Sequence, residues 1–382
     1  MRRFFLILGI VIVYFSCIKV YASSEIVMET STKRVLHEEN SKEKRLIAST
    51  TKIMTAILTI EYGNLTDVIE VGPEILTMYG TNIYLEVGEK ITVVDLLYGL
   101  ILRSGNDAAV VLAKYIAGNE DKFVELMNKK AKEIGMLDTE FQNSHGLDEK
   151  NRNISTAYDM ALLSIYAYNN DTYKKISGTK IYKTNTNKKS YAWYNRNSLL
   201  STYQYCTSGK NGYTPSAGKT LVTTASKNGM NLTIVTLNVY DSYSVHRKLY
   251  EKYYETYEMT EIIKKGEYFI PNDYYDGKLK IVKSFYYPLT KQEKENVKTE
   301  LYISKEATQK KINYVEIKLG DKKIGKIEVQ NIKKKEDNNI FEKIKNYLLE
   351  ILNKLMLGLQ NNLNPAPLVP RPLEIYSFVS SS

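Results

Sequence analysis

Two cysteines, three histidines and a single tryptophan in 382 residues leave several chemistries without material. Two cysteines cannot build a disulfide scaffold, and Cys17 lies in a segment expected to be removed from the mature chain. Cys206 then stands alone, which rules out a structural zinc site built on thiolates. His37, His145 and His246 are scattered along the sequence, so a His-rich metal centre is not expected either. What is present is an ordinary globular mixture, 43% hydrophobic and 25% charged, which argues against both wholesale disorder and a polytopic membrane protein. The length suits two or three domains. Lys and Arg total 53 against 43 Asp and Glu, a net +10 that suits nucleic acid, an anionic membrane or an anionic wall polymer.

The N-terminus decides among these. Met1-Arg2-Arg3 is a short positive stretch, Phe4 to Phe15 is almost unbroken hydrophobe, and Val20-Tyr21-Ala22 precedes polar Ser23-Ser24. This reads as a secretory signal peptide cut after Ala22. The apolar run is short for an uncleaved membrane span. Tyr14-Phe15-Ser16 lacks the small and aliphatic pattern that lipoprotein processing at Cys17 would need. Export removes nucleic acid as a partner and leaves lipid headgroups or wall polymer.

Residues 25–35 alternate apolar and polar and suit a strand. Ile47 to Tyr62 reads as a helix with apolar Ile53, Ile57 and Ile60, closed by Gly63. Thr92 can cap the next helix with Asp95 three residues on. The apolar stretch Val93 to Leu102 stops at Ser104-Gly105-Asn106 and resumes from Ala108 to Ile116, so a short polar turn between two buried helices is expected. From Leu221 the pattern turns to strands: Leu221 to Ala225 and Leu232 to Leu237 flank Asn228-Gly229 as a tight hairpin. Residues 264–335 are rich in Lys and Tyr with short β-branched runs, and Ile317 to Val329 reads as a second hairpin. Phe341, Ile344, Leu348, Ile351, Leu355 and Leu359 form the stripe of an amphipathic helix. Such a helix is either a core element of the β domain or, after a Lys-rich stretch near the terminus, an interfacial anchor on an anionic bilayer. Pro365, Pro367, Pro370 and Pro372 predict an extended or disordered tail.

Candidate chemistry begins at Ser49-Thr-Thr-Lys52. Residues i and i+3 share a helix face, so the Lys52 amine can reach the Ser49 hydroxyl. A serine needs a neighbouring base, and a lysine can be one when burial and nearby positive charge lower its pKa. Ser41/Lys44, Ser177/Lys180 and Ser216/Lys219 have the same spacing, but only Ser49 precedes an apolar run, Ile53 to Leu58, that would bury and fix the pair. Ser104-Gly105-Asn106 can be read as a helix cap, or as a hydroxyl and an amide presented to a ligand. Lys210-Asn211-Gly212 can be a turn, as Lys227-Asn228-Gly229 is, or a lysine beside a backbone that a ligand approaches closely.

Together, an S-x-x-K pair, an S-x-N turn and a K-x-G strand in this order form the serine acyl-transfer set of penicillin-binding proteins and β-lactamases. Thr30 to Asn40, Ile47-Ala-Ser-Thr-Thr-Lys-Ile-Met-Thr-Ala56, Ser104-Gly-Asn-Asp-Ala-Ala109, Asn143-Ser-His-Gly-Leu-Asp148 and Lys210-Asn-Gly-Tyr-Thr-Pro-Ser-Ala-Gly218 resemble, in order, the D-alanyl-D-alanine carboxypeptidases, the low-molecular-mass penicillin-binding proteins. Leu319 to Val329 is similar to the closing hairpin of that family's small β domain, so the resemblance spans roughly residues 25 to 335. It implies an α+β fold: a penicillin-binding-protein/β-lactamase-like domain over 23–263, a small β-sandwich domain over 264–335 and an amphipathic anchor helix over 336–360; the Pro-rich tail over 361–382, expected to be disordered from its composition, is not something the resemblance leads one to expect.

By the same resemblance, Ser49 is the nucleophile, Lys52 its base, and Ser104 a proton donor to the departing D-alanine. Asn106 holds the substrate backbone. Lys210, Asn211 and Gly212 face its terminal carboxylate, and the backbone N–H groups of Ser49 and Tyr213 form the oxyanion hole. The implied partners are peptidoglycan stem peptides ending in D-Ala-D-Ala, β-lactams as inhibitors, and an anionic membrane surface met by the C-terminal helix. No cofactor or metal is implied, and the location is exported and peripheral, at the outer face of the cytoplasmic membrane or in the wall. One residue departs from the pattern: Asn211 stands where the family has Thr or Ser, removing a hydroxyl from the carboxylate site. That departure motivates a non-catalytic wall-binding alternative. A class A β-lactamase is a further alternative, against which Gly105 and the extra β domain argue. His145 is expected to be structural and Cys206 a packing residue.

Overall fold

A computed structural model describes residues 23–150, 152–269, 278–303, 313–331, 344–345, 347–352 and 374–378. The signal-peptide reading of residues 1–22 lies outside them. The chain divides into two compact units, Met1–Glu258 and Met259–Ser382, a few residues before the boundary read from the sequence.

In the first unit five antiparallel strands form one sheet in the order Val35–Glu39, Ser24–Glu29, Met230–Leu237, Gly218–Lys227 and Cys206–Thr214. The N-terminal strand thus pairs with a strand two hundred residues later, Ser24 opposite Leu237. Ile26, Val27 and Met28 are all buried, as are Leu221 to Ala225. Strands this apolar at successive positions need cover on both faces. The helix Ala157–Tyr168 packs on the Ser24–Glu29 and Met230–Leu237 strands, and Ser242–Thr256 packs on Met230–Leu237 and Gly218–Lys227. The second helix is pinned by a fully buried histidine, His246, whose ring nitrogens lie 2.7 Å from Thr223 Oγ1 and 2.9 Å from Thr236 Oγ1. Asn228 and Gly229 turn the hairpin with positive φ values of 51° and 78°, as an Asn-Gly turn requires.

The remaining helices lie between the N-terminal strands and the C-terminal three. Lys52–Tyr62 is buried at each of its first eight positions. Ser49 itself is not α-helical: it sits in a 3-10 turn, Ala48–Thr51, that leads into this helix. Gly63 closes the helix as read, donating to the Thr59 carbonyl from an extended conformation. Thr92 caps Val93–Tyr98 by accepting from Asp95 N at 3.1 Å. A π-helical turn, Gly99–Arg103, carries this helix to Ser104, whose φ of 66° ends it, and Asn106–Ala117 starts two residues later. The polar Ser-Gly-Asn turn between two buried helices is therefore as the sequence predicts.

In the second unit six strands form an antiparallel sheet in the order Gly266–Phe269, Lys278–Ile281, Lys322–Asn331, Asn313–Leu319, Val297–Ile303 and Glu374–Phe378. Leu279, Ile281, Leu301, Ile317 and Val329 build its core. The predicted hairpin turns at Gly320, φ 59°. The expected disorder of the tail does not extend to Glu374–Phe378, which pairs with Val297–Ile303; its sequence, Glu-Ile-Tyr-Ser-Phe, lies beyond the last proline and carries no residue that bars a strand. Of the amphipathic segment, residues 344–345 and 347–352 are described and are helical, with Ile344, Leu348 and Leu352 exposed. Among the described residues no helix is long and apolar enough to cross a membrane.

Candidate active site

Ser49 is placed by backbone constraint. Ala48 before it holds φ of 46°, a left-handed conformation costing roughly 1–2 kcal/mol for a residue with a Cβ. Two glycines press on this strained point. Gly146, φ 91°, is so close that a Cβ there would sit 2.0 Å from the Ala48 carbonyl oxygen. On the other side a Cβ at Gly212 would lie 2.7 Å from Ser49 N. The Lys210-Asn211-Gly212 triplet is therefore not a turn; it runs through the strand Cys206–Thr214, against the Ala48–Thr51 turn that carries Ser49. Among the described residues that strand is the last in its sheet, with no strand partner on one edge. Tyr213, with its side chain 64% exposed, lies just beyond Gly212 on it.

Lys52 is fully buried. Its Nζ lies 2.7 Å from Asn106 Oδ1, 2.5 Å from the His145 carbonyl oxygen and 3.0 Å from Ser49 Oγ. The first two partners only accept, so a neutral amine spends both N–H bonds on them and turns its lone pair to the serine hydroxyl. Burial holds the Lys52 pKa well below the ordinary lysine value, the Lys210 charge lowers it further, Asp107 opposes, and Arg196 adds to the depression. A hydroxyl facing an amine that is a base rather than a cation is an activated nucleophile.

Lys210 is also buried, its Nζ 3.0 Å from Ser104 Oγ and 2.7 Å from the Asn211 carbonyl. Burial, and then the Arg196 charge, lower its pKa to about 7. Asn106 donates from Nδ2 to the Tyr79 carbonyl at 2.7 Å, which fixes its amide so that Oδ1 faces Lys52. Five of the predicted side chains, Ser49, Lys52, Ser104, Asn106 and Lys210, thus meet in two hydrogen-bonded groups, with bonds that bridge 54 residues between Lys52 and Asn106 and 106 between Ser104 and Lys210. Asn211 is half-buried beside them.

Other residues join the site: Asn143–Asp148, marked in the sequence only as part of the family resemblance and without assigned roles, and Arg196, which carried no signal. The loop Asn143–Asp148 supplies the His145 carbonyl and Gly146; Asn143 Oδ1 shapes it by accepting from His145 N and Gly146 N at 3.2 and 2.6 Å. The His145 ring is buried, and its Nδ1 accepts from Leu147 N at 3.1 Å. Burial, and then the Lys52 charge, lower its pKa to about 3, so the ring is neutral and structural while its carbonyl serves the site. Asp148 Oδ2 accepts from Thr214 Oγ1 at 2.6 Å, tying the loop to the end of the strand. Arg196, exposed, reaches Thr81 Oγ1 at 3.2 Å, and its charge adds to the lowering of both lysine pKa values that burial begins. Cys206 is buried with Asn197 Nδ2 3.8 Å from its sulfur, a packing position. Among the described residues no cluster of His, Cys, Asp and Glu could hold a metal.

The profile of the D-alanyl-D-alanine carboxypeptidase family matches residues 14–241. The chain belongs to this family. It is 38% identical over 216 residues to the D-alanyl-D-alanine carboxypeptidase DacF of Bacillus subtilis, covering 55% of each chain. To DacC of Escherichia coli it is 37% identical over 228 residues, covering 56% of each. The chain thus spans about half the length of the curated relatives it matches. Among solved structures, penicillin-binding protein 5 of Haemophilus influenzae superposes with a TM-score of 0.67 at 26% identity, over 81% of this chain and 96% of that one. The carboxypeptidase DacD of Francisella tularensis gives 0.64 at 26%, over 83% and 95%. The α+β architecture with a following β unit is the fold of these carboxypeptidases.

Proposed function

We propose that this chain is a serine D-alanyl-D-alanine carboxypeptidase that removes the terminal D-alanine from peptidoglycan stem pentapeptides and is acylated by β-lactams. The observation that carries the reading is the Lys52 amine, its pKa held well below the ordinary lysine value first by burial, set 3.0 Å from Ser49 Oγ with its other two contacts on carbonyl oxygens.

The substrate lies as an added strand along the open edge of Cys206–Thr214, its terminal carboxylate at the Lys210 ammonium. Ser49 Oγ attacks the carbonyl between the two D-alanines while its proton passes to Lys52. The oxyanion forms between Ser49 N and Tyr213 N; one such donor is worth about 3 kcal/mol in the transition state. Ser104 relays a proton to the leaving D-alanine nitrogen, and water hydrolyses the acyl-enzyme. Asn106, already fixed by Tyr79, offers its amide to the substrate backbone. Asn211 replaces a hydroxyl with a longer donor at the carboxylate, which slows turnover without removing the nucleophile. The exposed apolar face of the helix at 344–352 docks on an anionic membrane surface from outside the cell, the exported chain remaining peripheral.

The test is intact mass after incubation with penicillin. The wild type should gain one stoichiometric, lasting adduct and Ser49→Ala none. Rapid turnover of penicillin without an adduct would point to a β-lactamase instead, and an adduct on both proteins or on neither would refute the assignment.

A further inference from the structure

The S-x-N turn has a neighbour that the mechanism above leaves unused. Asp107, one residue past Asn106, is 2% exposed. Its Oδ1 accepts from Ile83 N at 3.0 Å and Ala108 N at 2.9 Å, and its Oδ2 accepts from Leu85 N at 3.0 Å. Asp107 N in turn donates to Asn82 Oδ1 at 3.2 Å. Asp107 therefore staples the segment 82–85 to the start of the Asn106–Ala117 helix, its carboxylate on Ile83 and Leu85 and its backbone N–H on Asn82. That segment continues directly from the carbonyls that hold Asn106: Tyr79 O accepts from its side chain and Thr81 O from its backbone N–H, at 2.7 and 2.8 Å. Gly105 is explained by the same group, since a Cβ there would meet Asp107 Oδ1 at 2.8 Å.

We propose that Asp107 is a positioning residue of the acyl-transfer reaction, holding the 79–85 segment so that Asn106 presents Oδ1 to Lys52 and its amide to the substrate, and placing a fixed negative charge behind the catalytic amine. The inference rests on the reading of Ser49 and Lys52 as nucleophile and base. Three backbone donors satisfy the carboxylate where a neutral amide could satisfy at most part of the set. The charged and titratable groups facing Lys52 are Lys210 from the edge strand, Arg196 from the loop beyond the Ser190–Tyr194 strand, His145 from its own loop and Asp107 from the helix start. Three of these are cations or a neutral ring; Asp107 is the anion among them, and its field favours the protonated amine.

The experiment follows the rate of Ser49 acylation by penicillin against pH for wild type, Asp107→Asn and Gly105→Ala. Loosening a contact one residue from the reacting groups should slow Asp107→Asn by about 10- to 100-fold. Loss of the negative charge lets the Lys52 pKa fall further, so the acid limb of the profile should move to lower pH. Gly105→Ala displaces the carboxylate but keeps its charge, and should slow acylation with the acid limb where it was. An Asp107→Asn enzyme with the wild-type rate and limb, or one slowed with an unmoved limb, overturns the proposal. Should Asp107→Asn fail to fold, Gly105→Ala acylating at the wild-type rate overturns it. A wild type that forms no adduct on Ser49 is a different failure, that of the underlying reading.

Discussion

At the residue scale the proposed mechanism depends on two buried lysines used in opposite protonation states. Lys52 must be neutral to accept a proton, whereas Lys210 must be charged to hold a carboxylate. Burial lowers both, Lys210 to about 7. For the free enzyme, kcat/KM should therefore rise on the acid side as Lys52 loses its proton and fall above about pH 7 as Lys210 loses its own. A bound carboxylate returns the proton to Lys210, so the alkaline loss should appear in KM rather than kcat. Lys210→Arg keeps its charge throughout, and its residual kcat/KM should lack that alkaline limb. A limb that persists unchanged in Lys210→Arg would assign it to another group. The Ser49/Lys52 spacing was visible in the sequence, but three other pairs had it too. The apolar run Ile53 to Leu58 set Ser49 apart, and it is buried as expected; the His145 carbonyl, 93 residues from Lys52, had no side-chain chemistry to announce it as a partner of the amine.

At the scale of elements, the signals that were local were legible. The Thr92 cap, the Asn228-Gly229 hairpin and the Ser-Gly-Asn turn each rest on neighbours a few residues apart, and each forms as read. The 3-10 turn at Ser49 was not legible, and the strand through Lys210 was read only through the family resemblance, because both are set by contacts from distant chain: Gly146 against Ala48, and Gly212 against Ser49 N. The same Lys-Asn-Gly triplet makes a turn at Lys227 and a strand at Lys210, and only the paired strand Gly218–Lys227 decides between them. The helix at 344–352 presents Ile344, Leu348 and Leu352 at four-residue intervals, all exposed, a spacing that aligns them on one face. Replacing Leu348 and Leu352 by Asp should abolish co-sedimentation with anionic liposomes while leaving penicillin acylation intact. Unchanged pelleting would remove the membrane from the account.

For the whole molecule, family membership follows from the match over residues 14–241, which contains the whole candidate site. The five-stranded sheet is closed by pairing the first strand with one near the end of the first unit, so the nucleophile turn, the Ser-Gly-Asn turn and the edge strand meet only when that unit is complete. The second unit is a separate sheet with its own core. Nothing in the chemistry at Ser49 requires a side chain from it. The most direct measurement is release of D-alanine from a pentapeptide ending in D-Ala-D-Ala. The wild-type chain should release one D-alanine per peptide, and Ser49→Ala should release none above the uncatalysed rate. Peptide bound but left intact by the wild type, or cleaved equally by Ser49→Ala, would contradict the account.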